Sequence, residues 1–101
     1  MERLYIIKYG FYDNVSRDWA RFQVIEYPGN EVERAINHAV SIHKQTMKIS
    51  DLLRQTYPPN IVKRMNPQYI FSVKVKDGPI WRHSAIESMS FSTAVVKELQ
   101  K

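Results

Sequence analysis

Cysteine is missing from the chain altogether. A disulfide scaffold, an iron–sulfur cluster, a thiolate zinc site and a cysteine nucleophile are therefore excluded, and a hydrophobic core must hold the fold without covalent help. Long apolar runs are missing too: no stretch approaches the ~20 residues of a membrane-spanning helix. The first ten residues, Met1 to Gly10, turn polar again at Lys8 and lack the apolar stretch of a signal peptide, so a cytoplasmic location and no membrane contact are the expectation. Glycine is scarce. Gly10, Gly29 and Gly78 stand alone in the sequence, no GxGxxG, Walker or GxSxG pattern forms, and neither a phosphate cradle nor a hydrolase elbow is legible. Acidic residues are the rarer charge, 10 Asp and Glu against 15 Lys and Arg, which leaves a net +5.

What is present describes one globular domain spanning residues 1–101, with 44% hydrophobic and 25% charged residues. Leu4 to Tyr12 is rich in β-branched and aromatic residues, and Leu4 to Ile7 is apolar on both faces, which suits a central strand. Trp19 to Tyr27 alternates and forms a second strand, with Ala20, Phe22 and Val24 expected inward and Arg21 and Gln23 facing water. The polar stretch Asp13 to Asp18 joins the two as an antiparallel hairpin. Asn30 and Glu33 resemble a capping box, after which Val32, Ala35, Ile36, Ala39, Val40, His43 and Met47 form one helical stripe. Ser50-Asp51 is expected to cap a separate short helix that ends before Tyr57-Pro58-Pro59, with another helical turn over Asn60 to Met65. Tyr69 to Lys76 alternates as a third strand with Ser72, Lys74 and Lys76 on its polar face, and Asp77-Gly78 turns it back into a fourth, Ile80 to about Met89. Ser92 is expected to cap a last helix, Thr93 to Gln100. The order β-β-α-α-β-β-α implies an α+β, two-layer domain: a four-stranded antiparallel sheet with helices on one face.

The positive charge is segregated. Residues 44–76 carry Lys44, Lys48, Arg54, Lys63, Arg64, Lys74 and Lys76 against Asp51 alone, while the flanking segments are close to neutral. Such a segment is the electrostatic footprint of a protein that meets phosphate or an acidic partner. Arg82 extends it, and Tyr57, Tyr69 and Phe71 are candidate base-stacking platforms beside it. No RNP-like, GXXG or zinc-finger pattern occurs, which favours backbone or shape contacts over base readout.

Catalysis has weaker support. His38 and His43 lie five apart on a helix and cannot share a metal as an i, i+4 pair does, and His43 falls on the apolar stripe, where a hydrogen-bonded core histidine is the simpler reading. His83 with Arg82, Lys74 and His43 is the one set that a toxin-type ribonuclease could use. A homodimer is a further alternative, formed through the hairpin edge Leu4–Tyr27 or through Tyr5, Tyr9 and Trp19. In size and layout the chain is similar to small accessory binders, a group that includes phage-encoded inhibitors of host nucleic-acid defence such as anti-CRISPR proteins. The expectation is a non-catalytic, cofactor-free protein that docks residues 44–76 on nucleic acid or on nucleic-acid-processing machinery and acts by occlusion.

Overall fold

The computed structural model describes all 101 residues. Strands β1 (Glu2–Asp13) and β2 (Asp18–Pro28) form the first hairpin, and a 3-10 turn (Gly29–Glu31) leads into α1 (Val32–Thr56). Then follow α2 (Pro59–Arg64), β3 (Met65–Lys76), β4 (Trp81–His83) and α3 (Ala85–Leu99). The strands make one antiparallel sheet in the order β2-β1-β3-β4, and the helices cover one of its faces. This is the two-layer α+β architecture expected, with β1, apolar on both faces, in the interior of the sheet.

Eight apolar residues form the buried core: Ile7 of β1, Val73 and Val75 of β3, Ala35, Ala39 and Ile42 of α1, and Phe91 and Val95 of α3. The two alanines let α1 lie close on the sheet, and Phe91 fills the space between Tyr5 and Phe71, with ring centroids 5.1 and 5.8 Å away. Polar ties fix the layers to each other. His38 Nδ1 lies 2.7 Å from the Tyr27 hydroxyl, His43 Nδ1 lies 2.7 Å from the Tyr69 hydroxyl, and Arg3 donates to Glu87 at 2.6 Å. Both helix histidines are thus hydrogen-bonded to sheet tyrosines, as the stripe position of His43 implied for that residue.

Four boundaries differ from the sequence reading. First, α1 starts without a side-chain cap and runs unbroken through Ser50-Asp51 to Thr56. Its inward line passes through residues 35, 39, 42, 46, 49 and 53, so Met47 falls one position off it and is half exposed. Second, β3 begins at Met65 and includes Pro67. The backbone N–H and C=O of Val73 point away from β1, toward Ser88 and Ser84, and alternation aims the proline nitrogen to that same unpaired side, where no ladder bond is lost. Third, β4 is only three residues long and the connection back from β3 has four, 77–80, with Gly78 at φ +112°.

Fourth, α3 starts at Ala85, not after Ser92. Ser84 is its N-cap, accepting from the Glu87 N–H at 3.2 Å, which makes Ser84-Ala85-Ile86-Glu87 the Ser-x-x-Glu signature that the strand reading passed over. Where a longer β4 would have paired with β3, Ser88 of α3 takes its place. Its hydroxyl accepts from the Val73 N–H at 2.8 Å and donates to the Ser84 carbonyl at 2.7 Å. Ser88→Ala leaves a buried strand N–H without a partner, so we expect a loss of about 1–3 kcal/mol, read as a lower midpoint of thermal unfolding.

The β1–β2 turn is held by Asp13, which is buried although ionisable. Its carboxylate accepts from Val15 N–H at 2.8 Å and Ser16 N–H at 3.4 Å, and from Arg64 Nε at 3.3 Å. The Val15 bond above all, then those from Ser16 and Arg64, holds this carboxyl below the usual carboxylate range, while desolvation opposes it. A carboxyl lowered in the folded state stabilises it above the unfolded-state value, and that contribution disappears as pH falls through the folded one. Thermal melts over an acid pH series should therefore show wild type losing stability more steeply than Asp13→Asn.

Candidate functional site on the open face of the sheet

Strand alternation decides what the helix-free face carries. With Ile7, Val73 and Val75 turned to the helices, the opposite face receives Leu4, Ile6, Lys8 and Tyr12 of β1, Ile70, Ser72, Lys74 and Lys76 of β3, and the cross-strand partners Trp81 and His83 of β4. From β2 it receives Trp19, Phe22, Val24 and Glu26. This reverses the expected facing of β2. The register pairs Ile7 with Ile25, so Arg21, Gln23, Ile25 and Tyr27 share the helix side, and Phe22 and Val24 turn to the open side. Near the far end of β2 the helix layer stands off, and Arg21 and Gln23 line a cleft of about 330 Å³ together with Gln45 and Thr46 of α1.

The open face is apolar where solvent would favour polar groups. Phe22, Val24 and Ile70 are 51%, 47% and 49% exposed, and Trp19 and Tyr12 are half-buried beside them. At one end Trp19 stands edge-on between Tyr12 and Phe22, with centroids 5.9 and 6.1 Å away. The Lys8 ammonium lies 4.8 Å from the Trp19 ring and 4.4 Å from the Phe22 ring. Gly10 makes this arrangement possible, since a Cβ there would meet the Arg21 carbonyl oxygen at 2.0 Å, beside the bulge that brings Trp19 opposite Tyr12. At the other end Lys76 lies 5.9 Å from the Trp81 ring, and Lys74 pairs across the strands with His83.

The basic segment 44–76 is divided by the fold. Lys74 and Lys76 belong to the open face, whereas Lys44 and Lys48 project from α1 in the layer that covers the other face. Arg54 is paired with Asp51 and Arg64 with Asp13, both at 3.3 Å, and Lys63 and the exposed Tyr57 sit at the α1–α2 end. Tyr69 is not a stacking platform: it is packed on Phe71 at 4.5 Å on the helix side and bonded to His43. Tyr5 and Tyr9 are likewise turned to the helices, Tyr5 against Phe91 and Tyr9 donating to Gln23 at 2.5 Å, so of the three proposed interface aromatics only Trp19 is on the open face.

The histidines are divided in the same way. His43 is on the helix side, His83 is on the open side, and Arg82 points opposite to His83 because they are adjacent in β4, so the ribonuclease set is not assembled. No group of three or more His, Cys, Asp or Glu is placed to hold a metal ion. No helix is long and apolar enough to cross a membrane. Sequence reasoning missed Lys8 and Phe22. The alternation Lys8–Gly10–Tyr12 was readable, but only the register with β2 reveals that Phe22 and Trp19 share its face. No family model, curated protein or solved structure matches the chain.

Proposed function

We propose that the chain is a non-catalytic binding protein that takes up a single-stranded nucleic acid on the open face of its sheet. The observation that carries this reading is the pairing of ammonium groups with accessible aromatic rings: Lys8 with Trp19 and Phe22, and Lys76 with Trp81. A base stacks on a ring face and the adjoining phosphate meets the neighbouring ammonium, so one constellation serves both halves of a nucleotide. Ile70, the partner of Lys8, and Lys76 are six residues apart on β3, about 20 Å along the strand, which is room for several nucleotides. A single strand suits this face better than a duplex, whose bases are already stacked on each other. Occupancy is the whole mechanism: a strand held on the sheet is withheld from any machinery that needs the same bases.

The test is fluorescence anisotropy with a labelled single strand, as RNA and as DNA, and with a duplex of the same sequence, over a salt series. Single strands should bind more tightly than the duplex. With Lys8, Lys74 and Lys76 meeting phosphates, log K should fall against log salt with a slope of about −2. Equal or tighter duplex binding, or affinity independent of salt, contradicts the reading.

A further inference from the structure

We infer that two copies of the chain join through the outer edge of β2 into a continuous eight-stranded sheet. The inference does not depend on the nucleic-acid reading. The ladder itself shows which backbone groups are free. Because Val73 points its N–H and C=O away from β1, its partner Tyr5 points its own toward β2. Tyr27, Ile25 and Gln23 therefore spend their backbone groups on β1, and Glu26, Val24 and Phe22 aim theirs outward with no strand to receive them.

The opposite side of the sheet offers less: its edge strand β4 is three residues long, and along the first half of β3 Pro67 removes an outward N–H. On β2 the outward positions 22, 24 and 26 are unguarded up to Pro28, which ends the usable edge. A twofold axis at Gln23 pairs Phe22 of each copy with Val24 of the other. That places two half-exposed apolar side chains against each other twice, Arg21 opposite Ile25, and no like charges across the strands. Moving the axis to Val24 sets Phe22 opposite Glu26. The Gln23 register matches apolar with apolar at both outward pairs nearest the axis.

Surface area agrees with a second copy. The chain exposes 7170 Å², against about 5,900 Å² for a folded monomer of its mass, an excess above the roughly 800 Å² that each partner contributes to a standard interface. Joined in this way, the two open faces become one surface, with the Lys8, Trp19 and Phe22 groups of both copies flanking the junction.

The absence of native cysteine supplies a clean test. At the twofold axis, the two copies of residue 23 form a non-hydrogen-bonded pair with Cα atoms about 4.5 Å apart, at the short end of disulfide range. Purified Gln23→Cys should oxidise to a covalent dimer, while Glu33→Cys on α1 stays monomeric. Wild type in sedimentation over a concentration series should show a monomer–dimer equilibrium. Val24→Pro, which removes an outward N–H and leaves the β1 ladder intact, should shift it to monomer without loss of helical circular dichroism. Gln23→Cys that fails to cross-link, wild type that stays monomeric, or a dimer that survives Val24→Pro overturns the inference. None of these readouts contains nucleic acid, so they fail or succeed separately from the proposed function.

Discussion

Replacing Trp19 and Phe22 together by alanine should weaken single-strand binding at least about 30-fold. Each base stacked on an aromatic ring is worth about 1–3 kcal/mol by alanine substitution, and these two rings make the larger of the two aromatic clusters on the open face. The fold should survive. Neither ring belongs to the buried core, and both stand on the helix-free side, so the helical circular dichroism of the variant should match wild type. Lys8→Gln separates the electrostatic part from the stacking part, since removing one phosphate contact on a single strand lowers the salt slope by about 0.7. Lys44→Glu with Lys48→Glu, on α1, should leave affinity nearly unchanged. A double charge reversal on the helix that abolished binding, with Trp19→Ala/Phe22→Ala at wild-type affinity, would place the ligand on the other side of the molecule.

Phe91→Ala should be the most damaging core substitution, costing about 3–5 kcal/mol. Only eight apolar residues are buried, and Phe91 is the bulkiest of them; its ring bridges α3 to both Tyr5 of β1 and Phe71 of β3. Small domains have about 5–15 kcal/mol in total, so the variant should unfold at a much lower urea concentration. Phe91→Leu, which keeps most of the volume, should recover much of the difference. A Phe91→Ala variant with an unchanged midpoint would mean that packing of α3 on the sheet contributes little to stability.

The four-stranded antiparallel sheet and the order of elements along the chain were legible because the signals were local. Apolar residues on both sides of Leu4–Ile7 marked an interior strand, the polar stretch after Tyr12 marked a hairpin, and the stripe from Val32 to His43 marked the long helix. What escaped the sequence depended on pairing across strands. Alternation in β2 establishes that Phe22 and Val24 share a face opposite to Arg21 and Gln23, yet which face meets the helices follows from the Ile7–Ile25 pair. The start of α3 was readable in Ser84 and Glu87 but was masked by the β-branched and aromatic residues around the Asp77-Gly78 turn. The basic segment was a true feature of composition and a poor guide to surface, because its lysines divide between two helices and the far side of the sheet. Lys8, outside that segment, lies nearer to aromatic rings than any lysine within it.

Both tryptophans of the chain, Trp19 and Trp81, lie on the open face, at its two ends. Titrating the protein with an unlabelled single strand and following intrinsic tryptophan emission therefore reports directly on where the ligand lies. Stacked bases should quench the emission saturably, with Trp19→Phe and Trp81→Phe each retaining part of the quench. Saturable binding by anisotropy with no change in tryptophan emission would contradict the account.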